Sequence, residues 1–178
     1  MLFVGGVHGV GKSYFCGQVE IETGLKVYSA SKLISELRNE EFTVNKKVNE
    51  INDNQGYLLE AMRRLSTLEG EFLLDGHFCL LNGNGVVQRI PIATFKQLSP
   101  KAIIVLYDTV ETIISRLNKR DNVNYEFPTI EALQKEELNY SQEVSVALGV
   151  PYLAINNASL TESACTFTQD IKNLLSFR

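Results

Sequence analysis

A glycine-rich segment near the start of the chain combines the residue types that bind phosphate. Its sequence, Gly6-Val7-His8-Gly9-Val10-Gly11-Lys12-Ser13, matches the pattern G-x-x-x-x-G-K-[ST]. The glycines let the backbone N–H groups turn toward a phosphate, and Lys12 adds a mobile positive charge. The hydroxyl of Ser13 suits a Mg²⁺ ion that bridges the β- and γ-phosphates of ATP. An incidental glycine-rich turn is the alternative. The predicted nucleotide-binding residues are Gly6, Gly9, Val10, Gly11, Lys12, Ser13 and Tyr14.

A carboxylate and a histidine follow a second apolar run. Asp75 ends the run Glu71-Phe72-Leu73-Leu74-Asp75, where a buried strand would bring it to the same Mg²⁺. A strand-end turn aspartate is the alternative. His77 could donate a hydrogen bond to a substrate phosphate, or only pack in the loop. His8 is interpreted as a loop filler.

Two arginines, Arg116 and Arg120, are four residues apart and therefore share one face of a predicted helix. They point either at one ligand or at solvent, and their spacing alone favours a solvated face.

Alternating strand and helix patterns position these residues. Short apolar runs predict strands, and apolar residues at a spacing of three and four predict helices between them. Asn82-Gly83-Asn84-Gly85 predicts a small hairpin, and Asp108-Thr109-Val110-Glu111 resembles a helix-capping box. The expected fold class is α/β, with a mostly parallel sheet and helices on both faces. The predicted strands are 2–5, 26–28, 71–75, 102–107 and 152–155; the main predicted helices are 12–22, 31–39, 53–68, 110–120, 128–148 and one that follows a capping box at 159–162.

The composition fits one ordinary globular domain over residues 1–178. Apolar residues make up 44% and charged residues 21% of the chain, and no apolar run approaches the length of a membrane span. Three widely spaced cysteines argue against a disulfide framework or a zinc site. With no basic leader at Met1, the expected location is cytoplasmic. A net charge of -4 does not point to a nucleic-acid or protein partner.

Together these motifs resemble the P-loop nucleoside monophosphate kinases, most closely the archaeal-type adenylate kinases and their eukaryotic nuclear relatives. The resemblance rests on three segments: residues 4–13, Phe72-Leu73-Leu74-Asp75-Gly76-His77, and Arg89-Ile90-Pro91 leading to the apolar run that ends at Val105. It implies a five-stranded parallel sheet of order 2-3-1-4-5. It also implies a substrate-binding arm over about residues 29–70 and a short lid over about residues 121–128.

The resemblance also implies roles for individual residues. Arg116 would lie beside the ATP base and Arg120 on the phosphates, so that Lys12, Asp75 and Arg120 form the catalytic set. Arg38, His77 and Arg89 would bind the phosphoryl acceptor. Lys46-Lys47 stand where the archaeal arm usually carries arginine, and His8 stands where the family's loop commonly has proline.

These observations predict an ATP- and Mg²⁺-dependent phosphotransferase, adenylate kinase-like, that acts on a nucleoside monophosphate or a similar small acceptor. The alternative is an ATPase or a nucleotide-dependent switch that works with a macromolecular partner. Residues 121–150 favour the alternative, because they contain six carboxylates, one lysine and no arginine, whereas many adenylate kinases place arginines in the lid.

Overall fold

The computed structural model describes residues 1–44, 52–68, 70–158 and 169–174. Its helices and strands alternate as the sequence patterns predict. In chain order they are β1 (Leu2–Gly5), α1 (Lys12–Thr23), β2 (Lys26–Ser29), α2 (Ala30–Val44), α3 (Asn52–Leu68), β3 (Phe72–Asp75), β4 (Cys79–Leu81), β5 (Val87–Arg89), α4 (Ile92–Leu98), β6 (Ala102–Tyr107), α5 (Val110–Asp121), α6 (Phe127–Leu148) and β7 (Tyr152–Asn156).

Five parallel strands form one sheet, in the order β2-β3-β1-β6-β7. β4 and β5 form a separate antiparallel hairpin. Counting only the strands of the large sheet, the order is therefore the expected 2-3-1-4-5, and the predicted α/β class is confirmed. β1 and most of β6 are fully buried, as strands covered by helices on both faces must be.

Local sequence signals explain where the helices begin and end. The side chain of Thr109 caps α5 by accepting a hydrogen bond from Thr112 N. α6 ends at Gly149, whose φ of 66° is the left-handed conformation that glycine adopts without strain. α4 begins directly after Pro91, as the resemblance implies.

The pair α2 and α3 occupies the interval between β2 and β3 that the resemblance assigns to the arm. That this pair acts as an arm stays a prediction. Lys46 and Lys47 lie outside the described residues, as does the capping box at 159–162.

Most of the acidic segment that follows α5 belongs to a helix that packs on the core. Only residues 122–126 connect α5 to α6, and α6 packs on the core through Ile130, Leu133, Tyr140 and Val144. The lid predicted over about residues 121–128 therefore covers the end of α5, this connection and the start of α6, and its role as a lid stays a prediction. None of the helices in the described ranges combines the length and apolar character needed to cross a membrane.

Three aromatic rings hold the segment after β3 against β1. The ring of Phe78 lies 4.9 Å from that of Phe3 and 4.9 Å from that of Phe95, between centroids. A Cβ at Gly5 would collide with the Phe78 ring, so the close approach requires glycine. This packing brings the ends of β1 and β3 together at the carboxyl edge of the sheet, where ligands of parallel α/β folds bind.

Candidate functional site

The P-loop, residues 6–13, turns sharply between β1 and α1. Gly6, Gly9 and Gly11 have φ values of 136°, 80° and 104°, which side chains rarely tolerate. A Cβ at Gly9 would lie 2.8 Å from Leu117 Cγ, and one at Gly11 would lie 2.6 Å from Asn157 Nδ2. The glycines are therefore required both by the backbone conformation and by the packing behind the loop.

Two side chains brace the P-loop from behind through the carbonyl of Val10. Asn157 Nδ2 donates to Val10 O at 2.7 Å, and Arg116 Nη1 donates to the same oxygen at 3.3 Å. Arg116 Nη1 also donates to the buried Asp108 Oδ2 at 2.9 Å. The resemblance places Arg116 beside the ATP base; the structure shows it bracing the loop while it borders the cavity. Asn157 belongs to no sequence motif, and Asp108 was predicted only as part of a helix-capping box, so neither was expected at this site.

Lys12 folds back over the P-loop and is 7% exposed. Its Nζ donates to Gly6 O at 2.6 Å and lies 3.9 Å from Asp75 Oδ1. Burial lowers the pKa of Lys12, while Asp75 and Glu137 oppose that shift. Burial raises the pKa of Asp75, and the charge of Lys12 opposes it. The predicted phosphate-binding lysine and the predicted metal-binding carboxylate thus meet beside the loop.

The side chains around Lys12 fit Mg²⁺ and nucleotide phosphates. Ser13 lies at the start of α1 and Asp75 at the end of β3, and both line the same cavity. A hydroxyl and a carboxylate are the oxygen ligands that Mg²⁺ prefers. The glycine cradle leaves backbone room for phosphate, and the N-terminus of α1 adds positive potential there.

The two histidines of the chain lie against each other, with ring centroids 4.1 Å apart. Desolvation, Lys12 and Arg120 lower the pKa of His8 to about 4, against the opposing charge of Asp121. Desolvation, Lys12 and His8 hold the pKa of His77 well below its ordinary value, and the backbone of Gly6 opposes that shift. Both rings are therefore neutral at pH 7, so His77 offers a ligand a neutral hydrogen bond and no charge. His8, interpreted from the sequence as a loop filler, is part of this pair.

One cavity of about 690 Å³ lies between the P-loop and the helix pair α2 and α3. It is bounded by the P-loop, by α2 and α3, by the segment after β3, and by α4. Nine of the predicted site residues border it: Gly9, Gly11, Lys12, Ser13, Arg38, Asp75, His77, Arg116 and Arg120. Five hydroxyl or amide side chains border the cavity from the end of β2 and from α2 and α3, namely Ser29, Ser31, Ser35, Asn54 and Gln55.

Arg120 lies at the rim of the cavity and is held by its neighbour. Its Nε and Nη2 donate to the two carboxylate oxygens of Asp121 at 2.6 and 2.7 Å. The hydroxyl of Tyr125 donates to Asp121 Oδ2 at 2.7 Å. Hydrogen bonds from Arg120 and Tyr125 lower the pKa of Asp121 to about 2. The Asp121 carboxylate would therefore compete with a phosphate for the guanidinium of Arg120.

Arg89 does not line the cavity, contrary to the expectation that it binds the acceptor. Its Nε donates to Glu136 at 2.5 Å and its Nη1 donates to Glu143 at 2.6 Å. Its guanidinium lies 4.5 Å from the ring centroid of Tyr140. The two carboxylates of α6 thus draw Arg89 onto that helix, and Arg89 ties β5 to it. Tyr14, predicted to bind nucleotide, is 61% exposed on α1 and does not border the cavity either.

Glu137, counted above only among the acidic residues of 121–150, is 1% exposed on α6. Its Oε1 accepts hydrogen bonds from Gly6 N and Phe78 N, each at 2.9 Å. Its Oε2 accepts from Cys79 N at 2.6 Å and from Phe78 N at 3.0 Å. A glutamate in the middle of a buried helical face is the signal that could have identified it.

Comparisons with known proteins agree with this architecture. A family model described as AAA domain matches residues 5–134. A gluconokinase from Sinorhizobium meliloti 1021 superposes with a TM-score of 0.58 at 16% identity, over 99% of this chain and 95% of that one. The YorR protein of Bacillus subtilis, in complex with phosphorylated GDP, gives a TM-score of 0.58 at 16% identity, over 98% and 94%.

A sugar kinase from Janibacter sp. HTCC2649 gives a TM-score of 0.54 at 15% identity, over 99% of this chain and 94% of that one. A search among curated proteins found no match. At these identities the solved structures show a shared fold. The family model, by contrast, matches well over half of the sequence and includes the whole P-loop and Asp75. The chain therefore belongs to the AAA domain family of P-loop proteins.

Proposed function

We propose that the protein is an ATP- and Mg²⁺-dependent phosphotransferase that acts on a nucleoside monophosphate or a similar small acceptor. The observation that carries the proposal is that the P-loop, the Lys12–Asp75 pair and the arm all open into one cavity. A cavity of about 690 Å³ is in the size range of small-molecule sites. Donor and acceptor would therefore meet inside a single site.

The donor side of the cavity suits ATP. Backbone N–H groups of the P-loop and the ammonium of Lys12 would hold the β- and γ-phosphates. Ser13 and Asp75 would hold Mg²⁺, which supplies charge neutralisation on the phosphate oxygens when bound. In exchange for its bond to Gly6 O, Lys12 would gain a charged phosphate partner, which offsets the desolvation of its ammonium.

The acceptor side would be formed by the arm, the segment after β3 and α4. Arg38 supplies a positive charge at this side, and His77 supplies a neutral N–H. Among the described residues, Gln55 Oε1 is a buried side-chain oxygen without a hydrogen-bond partner. A ligand O–H or N–H group would satisfy it. Catalysis would then rest on positioning and on charge stabilisation, with Arg120 moving from Asp121 to the transferring phosphoryl group.

The similar structures define the acceptors to be tested. A gluconokinase, a sugar kinase and a protein with a bound guanine nucleotide share this fold. An assay that couples ADP release to a spectroscopic signal should therefore be run with each nucleoside monophosphate, with gluconate and with simple sugars. Phosphorylated product, confirmed by mass spectrometry, would support the proposal.

The control for this assay is Lys12→Ala, which removes the phosphate-binding charge. ADP formation that needs ATP and Mg²⁺ but no acceptor would instead support the ATPase or switch alternative. No nucleotide-dependent reaction under either condition would contradict both.

A further inference from the structure

The carboxylate of Glu137 joins two segments that approach the proposed reaction from different strands. Gly6 opens the P-loop at the end of β1, whereas Phe78 and Cys79 directly follow His77. The bond from Gly76 N to Val4 O, at 3.0 Å, is a last rung between the two strands. Beyond that hydrogen bond, Glu137 bridges the two segments by accepting hydrogen bonds from backbone N–H groups of both.

Gly6 connects Glu137 to the phosphate-binding part of the site through its two backbone polar groups. Its N–H is held by Glu137 at 2.9 Å, and its carbonyl accepts from Lys12 Nζ at 2.6 Å. The ring of His77 packs on His8 of the same loop, with ring centroids 4.1 Å apart. A displacement of Gly6 would therefore move the hydrogen-bond partner of the phosphate-binding lysine and shift the loop on which the acceptor-side histidine packs.

A carboxylate is the group that can make these contacts. All of the hydrogen bonds to Glu137 come from N–H donors, and they reach both of its oxygens. A glutamine keeps one of these two oxygens. In place of the other it has an amide NH₂ group, which would face backbone N–H donors and could not accept their hydrogen bonds. Charge-assisted bonds to backbone N–H groups are also stronger than neutral ones.

Building on the phosphotransferase function proposed above, we propose that Glu137 is a positioning residue of the site. Its carboxylate holds the P-loop and the segment that carries Asp75 and His77 at a fixed spacing, so that nucleotide binding at the loop also orders the acceptor side. Glu137 itself touches backbone groups and acts through Gly6, Phe78 and Cys79.

The first test measures this coupling without any acceptor. Amide hydrogen exchange is followed by mass spectrometry with and without the non-hydrolysable analogue AMPPNP and Mg²⁺. In the wild type, the nucleotide should slow exchange both in the P-loop and over residues 76–80. In Glu137→Gln, the nucleotide should still slow exchange in the P-loop, but its slowing of exchange over residues 76–80 should be about fivefold or more smaller than in the wild type.

Glu131→Gln is the matched control, because Glu131 is an exposed carboxylate on the same helix. It should behave as the wild type does. Unchanged slowing over residues 76–80 in Glu137→Gln would overturn the proposal. If Glu137→Gln does not fold, Glu137→Asp, which keeps the charge and shortens the side chain, replaces it with the same two outcomes.

The second test separates positioning from simple loss of structure. With an acceptor found in the panel, Glu137→Gln should lower kcat for transfer by about tenfold or more, with the Kd for AMPPNP within about threefold of the wild type. A larger share of the ATP consumed should be lost to water, because a misplaced acceptor no longer competes with it.

Equal losses of transfer and hydrolysis would overturn the positioning role, because a smaller folded fraction would lower both in proportion. The exchange experiment needs only nucleotide binding. If the wild type phosphorylates no acceptor, the proposed function fails, while the exchange result still decides the role of Glu137.

Discussion

At the scale of single residues, Lys12 carries the strongest prediction. It is buried, its charge is desolvated, and its ammonium donates hydrogen bonds to two carbonyls of the P-loop itself. Lys12→Ala should therefore abolish ATP binding and turnover while leaving the fold intact. Isothermal titration calorimetry with ATP and Mg²⁺ measures the first, and circular dichroism the second. Lys119→Ala removes an exposed lysine of α5 and should change neither. ATP binding by Lys12→Ala near wild-type affinity would remove Lys12 from the site.

Asp75 should affect the metal more than the nucleotide. Its carboxylate is 18% exposed and lies 3.9 Å from the Lys12 ammonium, at the end of β3. Asp75→Asn keeps the size but removes the charge, so the Mg²⁺ concentration for half-maximal turnover should rise by roughly tenfold or more. A Mg²⁺ titration of the enzyme measures this, with Asp170→Asn as a control remote in sequence. An unchanged titration curve would show that Asp75 does not bind the metal.

The lowered pKa of His8 predicts that the free energy of unfolding depends on pH. Its pKa is about 4 in the folded protein and about 6.5 in an unfolded chain. Because the folded pKa is the lower one, the unfolded state binds the proton more readily. The stability from the neutral ring is present above pH 6.5 and is lost as the pH falls toward 4. His77, whose pKa is also lowered, acts in the same direction.

His8→Gln should therefore flatten the decline of the free energy of unfolding between pH 6.5 and 5. Urea denaturation at several pH values measures the slope for the variant and the wild type. Parallel curves would show that the imidazole of His8 is as easily protonated in the folded protein as in water.

At the scale of elements, the brace behind the P-loop can be tested through β7. Asn157 follows this strand, and its amide donates to Val10 O at 2.7 Å. Asn157→Ala should weaken ATP binding by roughly fivefold, the effect of losing about 1 kcal/mol from one hydrogen bond. The reason is that the loop would no longer be held in its binding conformation. Asn84→Ala, in the exposed turn of the β4–β5 hairpin, is the control.

Calorimetry with ATP compares the two asparagine variants. Equal affinities would show that Arg116 alone suffices to hold Val10 O, since both side chains donate to that oxygen. The double variant Arg116→Ala with Asn157→Ala would then be expected to lose affinity where neither single change does.

Most elements could be predicted from the sequence because their signals are local. The apolar run at 102–107 is β6, the hairpin forms around the predicted turn, and α6 ends at Gly149. The P-loop was equally predictable, because its glycines are demanded by backbone conformation rather than by distant contacts. Such features depend on a few neighbouring residues.

The residues whose positions could not be predicted from the sequence owe those positions to contacts between distant segments. Arg89 was expected in the cavity, but Glu136 and Glu143 of α6, about fifty residues later in the chain, draw it onto that helix. Glu137 carries the same side chain as these two carboxylates, yet it points inward to Gly6 and Phe78. Composition and charge counts do not distinguish the buried glutamate from the two that pair with Arg89. The way in which α6 packs on the rest of the fold distinguishes them.

At the scale of the whole molecule, an acidic protein places four positively charged side chains around one cavity. The net charge is -4, yet Lys12, Arg38, Arg116 and Arg120 all border the site. Carboxylates such as Glu136 and Glu143 pair with a cation elsewhere. The cavity therefore offers an anionic nucleotide a local positive field that the overall charge does not suggest.

Arginine is scarce in the part of the chain that follows Arg120. In the sequence no arginine follows Arg120 until Arg178, and the short connection at 122–126 contains neither lysine nor arginine. Arginines that stabilise a transferring phosphoryl group are worth orders of magnitude in rate. Because Asp121 also competes with a phosphoryl group for the guanidinium of Arg120, we expect slow intrinsic transfer by the isolated protein.

Arg120→Ala should then lower kcat far more than it weakens ATP binding, since the guanidinium is engaged with Asp121 before the reaction. Steady-state kinetics and calorimetry on the variant separate these two effects. Asp121→Asn is the informative partner, because it should weaken the hold on Arg120 and raise kcat above the wild-type value. Fast transfer by the wild type together with a small kcat loss in Arg120→Ala would mean that another residue stabilises the transition state. Slow turnover that a protein or RNA partner accelerates would instead favour the nucleotide-dependent switch, with the partner supplying the positive charge that residues 122–126 lack.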